Sequence, residues 1–233
     1  MKRLFCFLRD YIKNNKHCLL LLYWPVHTLW YELARILQAE SDVLIVHSPL
    51  DESIPFIEWF VFPYVLWFPY IAAVLLWGLH AGRREFLRDM ALITAGMFIP
   101  MLFCTIVPNG LTLDIRPDLE ALGRSNIGTW AVKVIYASDS PPRCIMPSMH
   151  CAVSLSLFYA LLRSEKLKGR ARVKIAGGVL SLLIILATVF IKQHSVLDLF
   201  AGLGLSLVTC PLITWAEYLI DKKKAKKVQE ATE

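Results

Sequence analysis

The six cysteines (Cys6, Cys18, Cys104, Cys144, Cys151 and Cys210) stand at no spacing that a metal site or a disulfide framework uses. They read as small core residues. No internal repeat runs through the chain, and the only biased segment is a lysine-rich tail. A repeat array is therefore excluded. The first apolar run ends without a small-residue cleavage site and carries bulky Trp30 and Tyr31 in its second half, so it is not a signal peptide. Residues 39–53 contain no Lys or Arg. The balance of a soluble domain is missing too. Hydrophobic residues make up 56% of the 233, where soluble domains run nearer 45–50%. The mean hydropathy is +0.51. The excess lies in long apolar runs, which points to an integral membrane protein.

Six such runs can be traced. They cover about Cys18 to Leu37, Ile54 to Leu79, Met90 to Val107, Ser148 to Leu162, Ile175 to Ile191 and Ser195 to Ile220. The first is interrupted by His27, Glu32 and Arg35, read as interior hydrogen bonds with a Glu32–Arg35 pair. The second is dense in Trp, Phe and Tyr, as interfacial segments are. The third stops at Pro108-Asn109-Gly110. Between the third and fourth runs lies the one substantial polar insertion, residues 109–146. Its stretch Thr129 to Tyr136 is apolar enough to lie on a membrane surface or form a short helix.

The formal charge of +6 invites nucleic acid as a partner. The placement of the positive residues argues for membrane topology instead. Five Lys or Arg lie in residues 1–16, three between runs two and three, six between runs four and five, and five in the tail. Those segments hold 19 of the 25, and cytoplasmic loops carry such an excess. Both termini are expected in the cytoplasm. The 109–146 loop is expected on the other side.

Two short stretches carry the chemistry. Cys144-Ile145-Met146-Pro147-Ser148-Met149-His150 runs from loop into apolar helix. Lys192-Gln193-His194-Ser195-Val196-Leu197-Asp198 opens the last apolar helix. Helix N-termini offer unpaired N–H groups and partial positive charge, which suits phosphate. Ser148 can cap its helix or donate to a phosphate oxygen. Asp198 follows His194 by four residues, one turn away on the same face. It can hold one ring nitrogen and leave the other free to attack. Arg116 can clamp a phosphate with two N–H groups. Two His and one Asp are also plausible Zn ligands, and no spacing rule selects metal.

Pro147-Ser148-Met149-His150 and His194-x3-Asp198, with Arg116-Pro117 upstream, resemble the type 2 phosphatidic acid phosphatase (PAP2) superfamily. The likeness covers roughly Pro108 to Gly202. It implies an all-α, polytopic, six-helix bundle, with residues 1–233 as one membrane domain and 221–233 as its basic cytoplasmic tail. It implies lipid phosphate as substrate, at the outer leaflet, with neither metal nor cofactor. By that likeness His194 is the nucleophile that forms a phosphohistidine, Asp198 orients it, and His150 protonates the leaving oxygen. Arg116 and Ser148 hold the phosphate.

Asn109 stands where the family's first motif has Lys, and Ala187-Thr188 where its third has Ser-Arg. Asn109 and Lys192 are then the expected further substrate contacts, Lys192 replacing a lost cation. The sphingolipid synthases, which pass a phospho-headgroup to a lipid alcohol, are looser in these phosphate motifs. Transfer is therefore the alternative to hydrolysis. A silent lipid-binding relative is a third reading.

Overall fold

An apolar segment in lipid must satisfy its own backbone groups, and a helix does so within one stretch of chain. The structure, a computed structural model, describes residues 13–230. Lys2, Arg3, Cys6 and Arg9 lie outside the described residues. Four described helical segments are long and apolar enough to cross a membrane: Glu58–Ala81, Arg83–Ile106, Ala171–Phe190 and Val196–Glu230. Met149–Arg163 is a shorter apolar helix. Its 15 residues rise about 22 Å at 1.5 Å each.

The principal helices are α1 (Tyr23–Leu37), α2 (Trp67–Ala81), α3 (Arg83–Ile106), α4 (Ile127–Ser138), α5 (Met149–Arg163), α6 (Ala171–Phe190) and α7 (Val196–Glu230). The first apolar run divides into a 3-10 turn, Lys16–Leu22, and α1. Pro25 then falls in the first turn of α1, where its missing N–H has no helical partner to lose. The second run starts at Glu58, four residues later than the sequence predicts, because Ile57 is extended and donates its N–H to the Phe190 carbonyl.

The third helix begins at Arg83 rather than Met90. Gly82, at φ +125°, ends α2 and lets the chain re-enter helix at once. Two of the three arginines read as a loop have their charges met within the fold, Arg84 by Glu217 and Asp221. Buried Arg88 donates to Asp89 at 3.0 and 3.1 Å and to the Arg163 carbonyl at 3.3 Å. The long loop does carry a short helix, α4, closed by a capping box between Asn126 and Thr129. The lysine tail continues α7 as an exposed helix through Glu230.

Helix α5 is the central post, packed on α3, α6 and α7. Its Val153, Leu157 and Leu161 meet Trp67, Met90, Ile93, Met97 and Ile184 in the main core. Large apolar side chains also cover the outside. Leu76, Ile106, Ile175, Phe200, Leu207 and Trp215 are all more than 60% exposed. An apolar exterior of this extent suits a bilayer. At one end the loops are stitched together. Strand β1 (Leu44–Ile45) pairs in parallel with β2 (Asn109–Gly110), and Gly110 bridges to Arg143.

Candidate active site

The two histidine stretches meet at that stitched end. Ser148 caps α5, accepting from the Cys151 N–H at 3.3 Å. Its own N–H donates to the Asp198 carbonyl at 3.0 Å. The start of α5 is thereby tied to the first turn of α7. Gly202 permits the approach: a Cβ there would fall on the Ser148 carbonyl oxygen. The Cys104, Cys144, Cys151 and Cys210 thiols are buried and free.

His194 Nδ1 and Asp198 Oδ2 lie 2.6 Å apart, with the carboxylate fully buried. His194 stands two residues before the first residue of α7, so the pair closes across the start of the helix. The His150 ring faces His194 at 5.7 Å between centroids. It is held between Tyr64 and Trp67, each 4.3 Å away by centroid. Both histidines line a cavity of about 420 Å³, with Tyr31, Glu32, Phe68, Asp139, Arg143 and Gln193 among its walls.

Buried polar atoms are nearly always paired. Six among the described residues are not, and five belong here: Trp67 Nε1, Arg116 Nε, His150 Nε2, Gln193 Nε2 and Asp198 Oδ1. Four of these are on ring, guanidine or amide nitrogens, which suits an anionic or hydroxylated ligand.

Arg116, from the long loop, does not line the cavity itself but bonds two residues that do. It donates to the Asp139 carboxylate at 3.0 Å, the Asp139 carbonyl at 2.9 Å and the Gln193 side-chain oxygen at 2.9 Å. Its guanidinium lies 4.4 Å over the Tyr136 ring. Burial pushes the Asp139 carboxyl up from its ordinary range, with Arg116 pulling the other way. Sequence reasoning passed over Asp139, Gln193, Tyr64 and Trp67. Only their position in the fold marks them.

Ser148, Lys192 and Asn109 do not line the cavity. The Ser148 oxygen accepts from the Cys151 N–H in its cap, which leaves its O–H as a donor. Lys192 sits at φ +54° and turns its amine away, donating to the Asp51 and Ile54 carbonyls at 2.5 Å each. Burial lowers its pKa, opposed by the Asp51 carboxylate. Asn109 is wholly buried. Its oxygen accepts from the Ile145 and Met146 N–H groups at 3.0 and 2.8 Å. Its NH2 donates to the Val107 and Met146 carbonyls at 2.9 and 3.2 Å. Two donations and two acceptances use the whole capacity of an amide. Both side chains make structural contacts here: Asn109 holds the approach to Pro147 and Lys192 the approach to His194.

A protein-family model described as the PAP2 superfamily matches residues 89–221. That span takes in both histidines, Asp198 and Arg116. No curated protein and no solved structure matches the chain.

Proposed function

The chain belongs to the PAP2 superfamily, whose members are phosphatase- or phosphotransferase-type enzymes of lipid metabolism, and on that premise we propose that it hydrolyses a lipid phosphomonoester or diphosphate through a phosphohistidine. The carrying observation is the His194–Asp198 contact of 2.6 Å with the His150 ring 5.7 Å across the cavity. The carboxylate accepts the Nδ1–H and leaves the Nε2 lone pair to attack phosphorus. The N–P bond forms as the P–O bond to the lipid breaks. His150 gives the departing oxygen its proton. A water then attacks the phosphohistidine, yielding its proton to His150, and free phosphate leaves with His194 restored. Asp198 stabilises the positive charge the ring carries meanwhile. The unpaired Arg116 Nε and Gln193 Nε2 are donors suited to the phosphoryl oxygens.

In this reading residues 1–233 form one membrane domain of six crossings, counting α1 with its 3-10 lead-in and α5. The bilayer is the protein's solvent, and its termini are cytoplasmic. The site opens at the outer leaflet.

One observation favours transfer of a phospho-headgroup as the second reading. The cations nearest the histidines are already engaged: Arg116 by Asp139, Lys192 by two carbonyls, Arg143 by the Gln38 and Ala39 carbonyls. A phosphodiester carries one negative charge and needs fewer free cations than a monoester dianion. The purified protein given a panel of lipid monoesters, diphosphates and diesters, with a lipid alcohol present, separates the readings. Free phosphate means hydrolysis, a new phospholipid means transfer, and neither means a lipid-binding relative without activity.

A further inference from the structure

The last helix begins under the hold of a residue far away in sequence. Asp51 lies in the first loop, 144 residues before Ser195, and is 2% exposed. Its Oδ2 accepts from the Ser195 hydroxyl at 2.6 Å and from the Ser48 N–H at 2.8 Å. Its Oδ1 accepts from the Val196 N–H at 2.7 Å. Its backbone carbonyl takes the Lys192 amine. The contacts fall at positions −2, +1 and +2 around His194. Three donors to one buried carboxylate make a strong, directional set. Its charge also sits at the N-terminus of a long helix, where the helix dipole favours it. Asp51 lies outside the stretch that the family model matches.

We propose that Asp51 is a positioning residue for His194. Asp198 fixes the ring's tautomer from within α7. Asp51 fixes where α7 begins, and so where the ring and its carboxylate stand relative to His150. Neither task replaces the other. The Asp198 contact moves with the helix, whereas the Asp51 contacts anchor the helix to another part of the protein. The catalytic consequence rests on His194 being the nucleophile; the clamp itself does not.

Displacing a reacting group by 1 Å can cost about 10²-fold. Loss of the clamp should therefore slow phosphoenzyme formation about 10- to 100-fold, while KM changes less than about threefold. The test uses the full-length protein in nanodiscs, as wild type, Asp51→Ala, Asp51→Asn and Ser195→Ala. Two quantities are read. One is the single-turnover rate of trapping phosphate on His194. The other is the rate at which diethyl pyrocarbonate modifies His194, followed by mass spectrometry with His150 as internal control.

In Asp51→Ala and Ser195→Ala, His194 should be modified at least about threefold faster and His150 at its wild-type rate. Asp51→Asn keeps an acceptor for Val196 but turns an NH2 toward another donor, and should fall between. If Asp51→Ala is not recovered folded, Ser195→Ala, which removes the hydrogen bond to Asp51 and the one from the Leu197 N–H, carries the comparison. An unchanged His194 rate overturns the proposal. So does equal acceleration of both histidines, which is what general loosening gives. If the wild type traps no phosphate on His194, the phosphohistidine reading fails, and the modification ratio alone judges the clamp.

Discussion

Replacing Asp198 by asparagine changes one atom and should nearly stop the reaction. The native contact is 2.6 Å and charge-assisted, and the second carboxylate oxygen has no partner. An asparagine can present either atom to the ring. With its oxygen inward it keeps a neutral hydrogen bond, roughly half as strong as the charged one. On a charged bond of about 1.5–3 kcal/mol, that is a loss of about 0.75–1.5 kcal/mol, or roughly 4- to 13-fold in rate. This orientation leaves both amide hydrogens buried without acceptors, at a cost of about 1–3 kcal/mol. With its NH2 inward, one hydrogen is satisfied and the outward oxygen is unpaired, as the native one already is. The second orientation wins. It forces the ring proton onto Nε2 and removes the attacking lone pair. The same exchange in a Ser-His-Asp triad costs about 10⁴-fold.

We expect Asp198→Asn to fall about 10³- to 10⁴-fold, with KM little changed. Asp198→Ala should fall less, because its ring is free to choose either tautomer. The assay is single-turnover quench with acid-labile phosphate counted on His194. An asparagine variant within tenfold of wild type, or clearly faster than the alanine variant, would refute the tautomer argument.

His150→Ala should lose about 10²- to 10⁴-fold on lipid alcohols, the usual worth of general-acid help, and recover on an aryl phosphate. His194→Ala should trap no phosphate on any substrate; if the two patterns are exchanged, the roles are too. Gly202→Val should part α5 from α7 and cut activity at least about tenfold by displacing the histidines. Gly204→Ala, with open space around its Cβ position, should behave as wild type in the same assay. Cysteines placed in residues 109–146 should be labelled from outside and those in 164–172 only from inside, and the reverse would move the site to the cytoplasmic face. Activity should survive EDTA, whereas loss restored by Zn²⁺ would favour a metal-bound site.

What could be read along the chain was governed by short-range geometry. Apolar runs gave the helices because a backbone in lipid has few other ways to pair its N–H and C=O groups. At the start of α3 the boundary was misjudged because charge looked like loop: Arg83, Arg84 and Arg88 lie in α3. There Glu85 and Asp89 supply counter-charges to Arg88, and Glu217 and Asp221 to Arg84, which a residue-by-residue reading does not weigh against a boundary. His194 and Asp198 were legible as a pair, since four residues are one turn. Ser148 was legible as a cap, since its acceptor and the Cys151 N–H are three residues apart.

Which polar groups are left for a substrate was decided by the tertiary structure alone. Asn109 and Lys192 carry the right chemistry for phosphate and are spent on loop carbonyls and amides. Arg116 reaches Gln193, next to His194, but arrives paired to Asp139, 23 residues on. His150 owes its orientation to Tyr64 and Trp67, on a different helical segment. Asp51 reads as one more acid in an acidic loop until the fold sets it against Val196, 145 residues later. A helix encodes contacts three and four residues apart in its own period. Contacts across a hundred residues depend on loop closure and on the packing of α3, α5, α6 and α7, and neither leaves a mark on the spacing of the residues that meet.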